Sequence, residues 1–329
     1  MSKLTPYLAA LLAALALGVA ACGDDEEEPS GSGEATATAE ATQASGIVNN
    51  PDNAKVSLKI GSKNFTEQKV LGEIYAQGLA AAGYNTTTDL NLGDQDVALA
   101  ALKAGEIDAY PEYTGTALTV FFGKDAADLP KDPQAAYEEA KADFEKDGLT
   151  AFPPTPFTSS NEVGVKEEVA KQYGLSKISD LAKVDQEFTL YGSPECRQRT
   201  DCLLGLQQTY GLKFKKFTPV DIDLRHQVLE RGEKVASIVF TTDPQIRREH
   251  EVLLDDDKGM FPPYNSTLVV RKDLADRAGA DLGKTIKVLQ EQLTAENMQE
   301  LNARVDLDRR SPNEVAREYL QETGLVSAG

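Results

Sequence analysis

The order of apolar and polar side chains predicts a strand and a helix at the start of the folded part of the chain. Residues 55–61 alternate apolar and polar side chains, as in a half-buried strand. A helix is predicted to start near Thr66 and to stop at Gly83, because its large apolar residues share one face. These apolar residues are Val70, Leu71, Ile74, Leu79 and Ala82.

The same alternation repeats directly afterwards. A strand at 87–92 is followed by a helix at 98–103 that stops at Gly105, and another strand covers 107–110. This β-α-β-α-β order predicts a mostly parallel sheet with helices on both faces.

Two proline-rich breaks divide the rest of the chain. A charged helix at 135–146 leads to the first break at 152–157, and the second break lies at 255–264. Strands at 163–166, 188–191, 213–217 and 235–241 and helices at 201–210 and 224–231 are predicted between the breaks. They form a second α/β domain. A strand at 267–271 and helices up to Gly324 follow, and we expect them to rejoin the first domain.

The N-terminus has the pattern of a secretory signal, which we assign to residues 1–21. Lys3 precedes an apolar run at 8–21 that is too short to span a bilayer. Cys22 follows small residues, and this arrangement resembles the lipobox of bacterial lipoproteins, in which the cysteine becomes the lipidated first residue. A plain signal peptide that happens to contain a cysteine is the alternative.

Residues 22–55 are predicted to be a disordered tether. They hold five consecutive acids at 24–28 and then a stretch rich in Ser, Gly, Ala and Thr, with almost no large apolar side chain. Such a segment would hold a globular body about 30 Å from the membrane.

Charge and motifs limit the classes of function. The formal net charge is −19, and an acidic body repels nucleic acid, so no nucleic-acid partner is expected. The sequence has no nucleotide-binding glycine fingerprint and no Ser or Cys arranged with His as a nucleophile. We therefore expect neither an enzyme nor a cofactor.

Cys196 and Cys202 are the other two cysteines of the chain. Because an exported chain lies where disulfides persist, we expect them to pair and to stiffen a small loop. A metal site is the rival interpretation, but His226 and His250 lie at no recognisable ligand spacing from these cysteines.

Seven segments carry recognisable motifs: 60–67, 101–108, 110–116, 241–243, 254–265, 300–302 and 315–320. In this order they resemble the motifs of the substrate-binding lipoproteins of bacterial ABC importers for quaternary amines. That family takes up glycine betaine, choline and carnitine. The resemblance covers nearly all of residues 56–325.

The resemblance implies the two-lobed periplasmic binding protein fold of type II, an α/β architecture. Residues 56–157 and 265–329 would form lobe 1 and residues 158–264 lobe 2. Two crossovers would join the lobes, and the ligand would lie in the cleft between them.

A quaternary ammonium group has no N–H to donate, so aromatic faces must hold it. In the family several tyrosines form such a box, and Tyr113 and Tyr264 match two of them through their motifs. Phe240 stands where relatives place a third tyrosine, and no aromatic residue aligns at the fourth position, near Asn161. An ordinary core tyrosine is the alternative for both Tyr113 and Tyr264.

Phe65 and Phe157 could substitute sterically for the missing aromatic residue. Core packing is the favoured expectation for both phenylalanines.

For the carboxylate of a betaine, the resemblance implies Lys63, Thr116 and an arginine of the cysteine loop, best matched by Arg199. Arginine can bind a carboxylate with two hydrogen bonds. The alternative is that Arg199 is one of two solvated arginines in an exposed loop, with Arg197 equally placed to reach the cleft.

Asp94 and Asp96 lie where a helix is predicted to begin. Helix capping is the favoured role for Asp96, and Asp94 stays open between capping and contact with a choline-like ligand.

We thus expect a monomeric, extracytoplasmic lipoprotein, anchored to the bacterial cell membrane, that delivers a quaternary amine to an ABC permease. A binding protein of the same fold for an amino acid, a polyamine or another small zwitterion or cation is the alternative. An exported enzyme is the rival from another class.

Overall fold

The computed structural model describes residues 46–327, which contain two five-stranded sheets with helices packed against them. The strands are β1 (Ser57–Gly61), β2 (Asn85–Asp89), β3 (Ala109–Tyr113), β4 (Leu149–Ala151), β5 (Asn161–Lys166), β6 (Thr189–Gly192), β7 (Lys216–Pro219), β8 (Val235–Phe240), β9 (Glu251–Leu254) and β10 (Ser266–Arg271). The helices are α1 (Thr66–Ala81), α2 (Gln95–Ala104), α3 (Thr114–Thr116), α4 (Pro133–Lys146), α5 (Glu167–Tyr173), α6 (Leu203–Tyr210), α7 (Gln245–Arg248), α8 (Lys272–Ala278), α9 (Ala280–Glu291), α10 (Ala295–Asp306) and α11 (Pro312–Glu322).

The first sheet is mixed but mostly parallel, as the sequence predicted, because four of its five strands run in one direction. Its order is β2-β1-β3-β10-β4, with β1 parallel to β2 and β3. Strand β10 is antiparallel to both β3 and β4. The reason is the return of the chain: β10 starts where β3 ends, with Ser266 opposite Tyr113, and so runs away from that edge.

The second sheet repeats this plan with the order β7-β6-β8-β5-β9. Strand β6 is parallel to β7 and β8, and β5 is antiparallel to β8 and β9. Each sheet therefore has four strands that run in one direction and one strand, β10 or β5, that enters from the other lobe and runs in the opposite direction.

The two segments that join the lobes pair with each other. An isolated antiparallel bridge links Thr158 to Asn265. The side-chain amide of Asn265 donates to the carbonyls of Thr155 and Phe157, each at 3.0 Å. The crossover is thus a short two-stranded connection. Strands of the first sheet lie within 57–151 and 266–271 and those of the second within 161–254, while the exact lobe limits remain a prediction.

The predicted helix after β1 is confirmed. All five of its predicted apolar residues are buried, and Gly83 beyond it adopts φ +98°, which favours glycine. The strands β2 and β3 lie two or three residues away from their predicted bounds. The helix predicted at 224–231 is instead two 3-10 segments, Ile222–Leu224 and Gln227–Arg231.

The folded body begins earlier than the sequence predicted, because residues 46–55 pack on lobe 1. The amide of Ile47 donates to the Leu325 carbonyl at 2.9 Å, and the buried Asn53 side chain donates to the Ala82 carbonyl at 2.9 Å. The assignment of 46–55 to a disordered tether is therefore wrong. The signal peptide, Cys22 and the rest of the tether lie outside the described residues.

No helix within residues 46–327 has both the length and the apolar character needed to cross a membrane.

Gly205 generates a prediction about stability. A Cβ at this position would stand 1.8 Å from the backbone oxygen of Thr200, although alanine is the better helix former. Gly205→Ala is therefore expected to lower the free energy of unfolding by about 1 to 3 kcal/mol in a denaturant titration. The control is Gly283→Ala in α9. The added Cβ would there lie 3.2 Å from a carbon of the Phe152 side chain, and not against a backbone oxygen as at Gly205. A Gly205→Ala variant as stable as wild type would contradict this packing.

Candidate functional site

A cavity of about 610 Å³ lies between the lobes and is lined by residues of both. All six residues that the sequence predicted as ligand contacts line it: Lys63, Tyr113, Thr116, Arg199, Phe240 and Tyr264. Their role in binding a ligand remains a prediction, but the fold brings them to one place.

Lobe 1 supplies its part of the cavity from the turns that follow β1, β2 and β3. Lys63 follows β1, and Tyr113 and Thr116 lie at the end of β3. Since β1 and β3 are parallel neighbours, their carboxyl ends meet at the same edge of the sheet. The motifs at 60–67 and 110–116 are therefore neighbours in space.

Lys63 is already paired within lobe 1. Its ammonium forms a buried salt bridge with Glu112 and lies 4.7 Å from the ring centroid of Tyr113. Glu112 also accepts from the Tyr110 hydroxyl at 3.0 Å and from the Tyr113 amide at 2.7 Å. Burial lowers the pKa of Lys63, and the charge of Glu112 partly opposes this effect. The lysine is thus held against the tyrosine ring.

Glu67 fixes the hydroxyl of Tyr113. The hydroxyl donates to Glu67 Oε1 at 2.6 Å, and the side-chain amide of Asn302 donates to Glu67 Oε2 at 3.0 Å. Burial raises the pKa of Glu67, although the hydrogen bonds to its carboxylate lower the pKa in part. Tyr113 therefore has a set orientation before any ligand arrives.

Phe65 adds a ring that the sequence analysis assigned to the core. It lines the cavity, packs at 6.2 Å from the Tyr113 ring and lies 5.5 Å from the Phe240 ring. Phe157 is buried in the lobe 1 core, as expected. Local sequence could not separate the two, because a ring on a cavity wall is also nearly buried.

A second group of hydrogen-bonded side chains in the site consists of Arg199, Asp201 and Tyr264. Arg199 donates to Asp201 through Nε at 2.7 Å and Nη2 at 2.6 Å, and the Tyr264 hydroxyl donates to Asp201 at 2.6 Å. Burial opposes ionisation of Asp201, but Arg199 outweighs it and the pKa of Asp201 is lowered. Asn161, where the aromatic residue is missing, donates to the Tyr264 hydroxyl at 3.2 Å.

Of the two arginines in the disulfide loop, Arg199 lies in the cavity wall and Arg197 does not. Arg199 lines the cavity, and its Nη1 has no acceptor among residues 46–327. The guanidinium carbon of Arg197 lies 5.1 Å from the Phe217 ring centroid, and Arg197 is not part of the cavity wall.

Cys196 and Cys202 are joined in a disulfide, as predicted, with their Cα atoms 5.2 Å apart. Both cysteines line the cavity and are buried. Their sulfur atoms bond to each other, so they are not metal ligands here. The disulfide closes the loop that carries Arg199 and Asp201.

Gly115 explains why the motif at 110–116 contains a glycine. A Cβ on Gly115 would lie 2.8 Å from a ring carbon of Tyr264 and 2.9 Å from the Pro263 carbonyl oxygen. Glycine thus lets the β3 turn approach the tyrosine that comes from the second crossover.

The structure corrects the capping assignment near α2. Asp94, not Asp96, is the N-cap, and its carboxylate accepts from the amides of Asp96 and Val97 at 3.1 Å each. Asp94 also lines the cavity. Asp96 lies in the first turn of α2.

Arg225 is a cavity residue that sequence reasoning missed. Its guanidinium binds Asp243 through Nε at 2.8 Å and Nη2 at 2.5 Å and lies 4.8 Å from the Phe240 ring centroid. Nothing local signals this role, since Arg225 and Asp243 are 18 residues apart and the strand β8 lies between them in the sequence.

His226 extends this charge cluster into lobe 2. It is hydrogen-bonded to Asp243 through Nε2 at 2.9 Å and to Glu251 through Nδ1 at 2.7 Å. Lys166 lies 3.5 Å from Glu251 and Arg225 shares Asp243. Burial lowers the pKa of His226, but the two carboxylates outweigh it and the pKa is raised above 6.5.

Two lobes that enclose a cavity lined by rings and paired cations define a two-lobed substrate-binding protein. The sequence profile of one family, the substrate binding domain of ABC-type glycine betaine transport system, matches residues 56–322. The chain belongs to this family. Its members are substrate-binding transport proteins that work outside the cytoplasm, so the chain is extracytoplasmic and is not an enzyme.

Individual relatives agree with this placement. The chain is 34% identical over 284 residues to the glycine-betaine-binding protein of Pseudomonas aeruginosa, with 83% of this chain and 90% of the relative covered. It is 31% identical over 270 residues to the ergothioneine transport permease/ergothioneine binding protein EgtU of Helicobacter pylori, covering 82% of this chain and 48% of that relative. The crystal structure of a glycine betaine/carnitine/choline ABC transporter is 27% identical, with a TM-score of 0.66 and 80% and 98% of the two chains covered.

His226 yields a prediction about pH. Because its pKa is raised in the folded state, the stability it contributes is fully present below about pH 6.5 and is lost as pH rises through the folded pKa. The difference in free energy of unfolding between wild type and His226→Gln should therefore be largest below about pH 6.5 and shrink as pH rises through the raised pKa of His226.

The control is the chain's other histidine, His250, which is exposed and adopts φ +53°. His250→Asn keeps a residue that tolerates this conformation and should show no such trend. A wild-type advantage over His226→Gln that grows with pH would contradict the prediction.

Proposed function

We propose that the chain binds a quaternary amine of the glycine betaine, choline or carnitine class and delivers it to an ABC permease. The observation that carries the proposal is one cavity lined by four aromatic rings and by Arg199, whose Nη1 has no acceptor within residues 46–327. The rings are those of Phe65, Tyr113, Phe240 and Tyr264. Family membership supports the same ligand class.

The cationic head of the ligand would lie against aromatic faces. Each such contact contributes about 0.5 to 2 kcal/mol, more when water is excluded, and requires no N–H on the ligand. Acidic residues add a negative potential, since four carboxylates of the cavity wall form no salt bridge within residues 46–327. They are Asp94, Glu195, Asp221 and Asp223.

The carboxylate of a betaine would bind Arg199, whose Nη1 faces no protein acceptor among the described residues. Asp201 and the disulfide loop hold the guanidinium in place, which reduces the entropy lost on binding. Thr116 would add a hydroxyl donor. Lys63 would remain in its salt bridge with Glu112. Its positive charge would attract the ligand carboxylate, and its contact with the Tyr113 ring would keep that ring in position.

A different small zwitterion or cation is the second candidate. It is favoured by Asn161, which donates to Tyr264 from the place where the family has an aromatic residue. Ergothioneine belongs among the ligands to test, because a relative at 31% identity is named for it.

We further propose that the mature protein is a monomer anchored to the bacterial cell membrane through lipidated Cys22, with residues 1–21 removed as a signal peptide. The pattern of a short apolar run followed by small residues and Cys22 supports this. The acidic stretch after Cys22 would then separate the lobes from the membrane surface.

Tyr113 provides the test of the ligand class. Purified wild type should bind at least one of glycine betaine, choline, carnitine, proline betaine and ergothioneine in isothermal titration calorimetry, and no neutral sugar. Tyr113→Leu should weaken binding of that ligand by about 3- to 30-fold, because one cation–π contact is lost. Tyr113→Phe should keep most of the affinity.

The matched control is Tyr137→Leu, a buried lobe 1 tyrosine outside the cavity. If no quaternary amine binds at millimolar concentration, the proposed function is wrong. If Tyr113→Leu binds as wild type does, the role of that ring is wrong.

Cys22 provides the test of the anchor. Cys22→Ser should prevent labelling of the protein by radioactive palmitate and move it from the membrane fraction to the soluble fraction of a bacterial host. Cys196→Ser with Cys202→Ser is the control, and this pair should leave labelling unchanged. Labelling that persists in Cys22→Ser would exclude this residue as the lipidation site.

A further inference from the structure

Two of the motifs, 241–243 and 300–302, contribute no residue to the cavity wall. The fold brings them into contact, because the side-chain amide of Asn302 donates to the carbonyl of Thr242 at 3.1 Å. Asn302 belongs to α10, which packs on α1 in lobe 1, and Thr242 follows β8 in lobe 2. The contact between the two motifs therefore joins the lobes.

One face of α10 makes further contacts with lobe 2. Gln299, Asn302 and Asp306 share this face, since residues three and four apart lie side by side on a helix. The side-chain amide of Gln299 donates to the Thr241 carbonyl at 2.9 Å, and Asp306 accepts from the side-chain amide of Gln245 at 3.3 Å. All these residues lie outside the cavity wall.

Asn302 differs from the other two because it also reaches toward the site. Its amide nitrogen has two N–H donors. One binds the Thr242 carbonyl, and the other binds Glu67 Oε2 at 3.0 Å. Glu67 Oε1 accepts from the Tyr113 hydroxyl at 2.6 Å. Asn302 and Glu67 are each 3% exposed, so bulk water does not replace a lost donor.

The lobe 2 end of this chain of hydrogen bonds lies in the turn that follows Phe240. The Phe240 amide donates to Asp243 at 2.8 Å, which closes the turn around Thr242. The Thr242 hydroxyl is hydrogen-bonded to the hydroxyl of Ser159 at 2.8 Å, and Ser159 lines the cavity. A residue that holds Thr242 therefore also holds the segment that carries the Phe240 ring.

The rings of Phe65, Tyr113 and Phe240 form an aromatic wall that crosses from lobe 1 to lobe 2. The Phe65 centroid lies 6.2 Å from that of Tyr113 and 5.5 Å from that of Phe240. A cation–π contact requires the cation within about 6 Å of a ring centroid. Since the rings come from different lobes, their spacing depends on how the lobes are held together.

We propose that Asn302 is a positioning residue for ligand binding, which keeps the rings of Tyr113 and Phe240 at a fixed spacing without touching the ligand. The inference rests on the proposed function. It assigns the motif at 300–302 a role in affinity. It also predicts the same loss for glycine betaine, choline and carnitine, because all three present a trimethylammonium group to the rings.

Asn302→Leu tests this role, since leucine has a similar size and no N–H donors. The dissociation constants of glycine betaine, choline and carnitine should each rise by about tenfold in isothermal titration calorimetry. The matched control is Gln299→Leu, which removes a hydrogen bond between the same lobes from the same helix face but has no link to Glu67. It should change affinity by less than about threefold.

A double-mutant cycle separates positioning from a general loss of structure. Once Tyr113→Leu has removed the lobe 1 ring, there is no ring spacing left to maintain. Asn302→Leu should then weaken binding by less than about threefold further, so the two losses are not additive. A residue that only supports the fold would cause the same loss in both backgrounds.

Three results would overturn the inference: unchanged affinity in Asn302→Leu, an equal loss in Gln299→Leu, or additive losses in the cycle. Thermal unfolding without ligand identifies the folded variants. If Asn302→Leu does not fold, Asn302→Ser replaces it, since serine leaves room for a water molecule beside Glu67. Absence of binding by wild type would refute the proposed function and this inference with it, whereas the three results above refute the inference alone.

Discussion

Every buried cation on the cavity wall has a buried carboxylate partner from its own lobe. Lys63 pairs with Glu112, and the two arginines pair with Asp201 and Asp243. An unpaired charge at such depth would destabilise the fold by several kcal/mol, so these pairs are a condition for placing cations in the cleft at all. Aromatic packing and ring orientation follow from them, since Tyr113 and Tyr264 contact the paired groups directly.

The lobes share one construction, and it explains where the cleft lies. In each sheet the central parallel strands end at the same edge, and the strand that arrives from the other lobe starts there. The crossovers therefore run along the cleft edge and contribute to its wall. This arrangement places Tyr264, at the end of the second crossover, in the wall of the cavity.

The sequence predicted site residues correctly where they lie together in one short turn, and less well where they meet only in the folded chain. Gly115 and Tyr113 lie in one turn, so a local pattern located them together. Phe65 was assigned to the core because burial on a cavity wall and burial in a core give the same pattern. Arg225 was missed because its partner, Asp243, is 18 residues away and on another element.

Most local elements, the family and six residues of the cavity wall could be predicted from the sequence, because helix periodicity, turn glycines and motifs are local features. The fold of the whole chain was needed to show that one strand of each sheet runs opposite to the others, that Lys63 is paired and that Phe240 lies beside Arg225. These facts depend on contacts between distant segments, such as Lys63 with Glu112, 49 residues apart, and Tyr264 with Asp201, 63 residues apart. Electrostatic partners at that separation are set by the packing of the whole chain, not by its neighbouring residues.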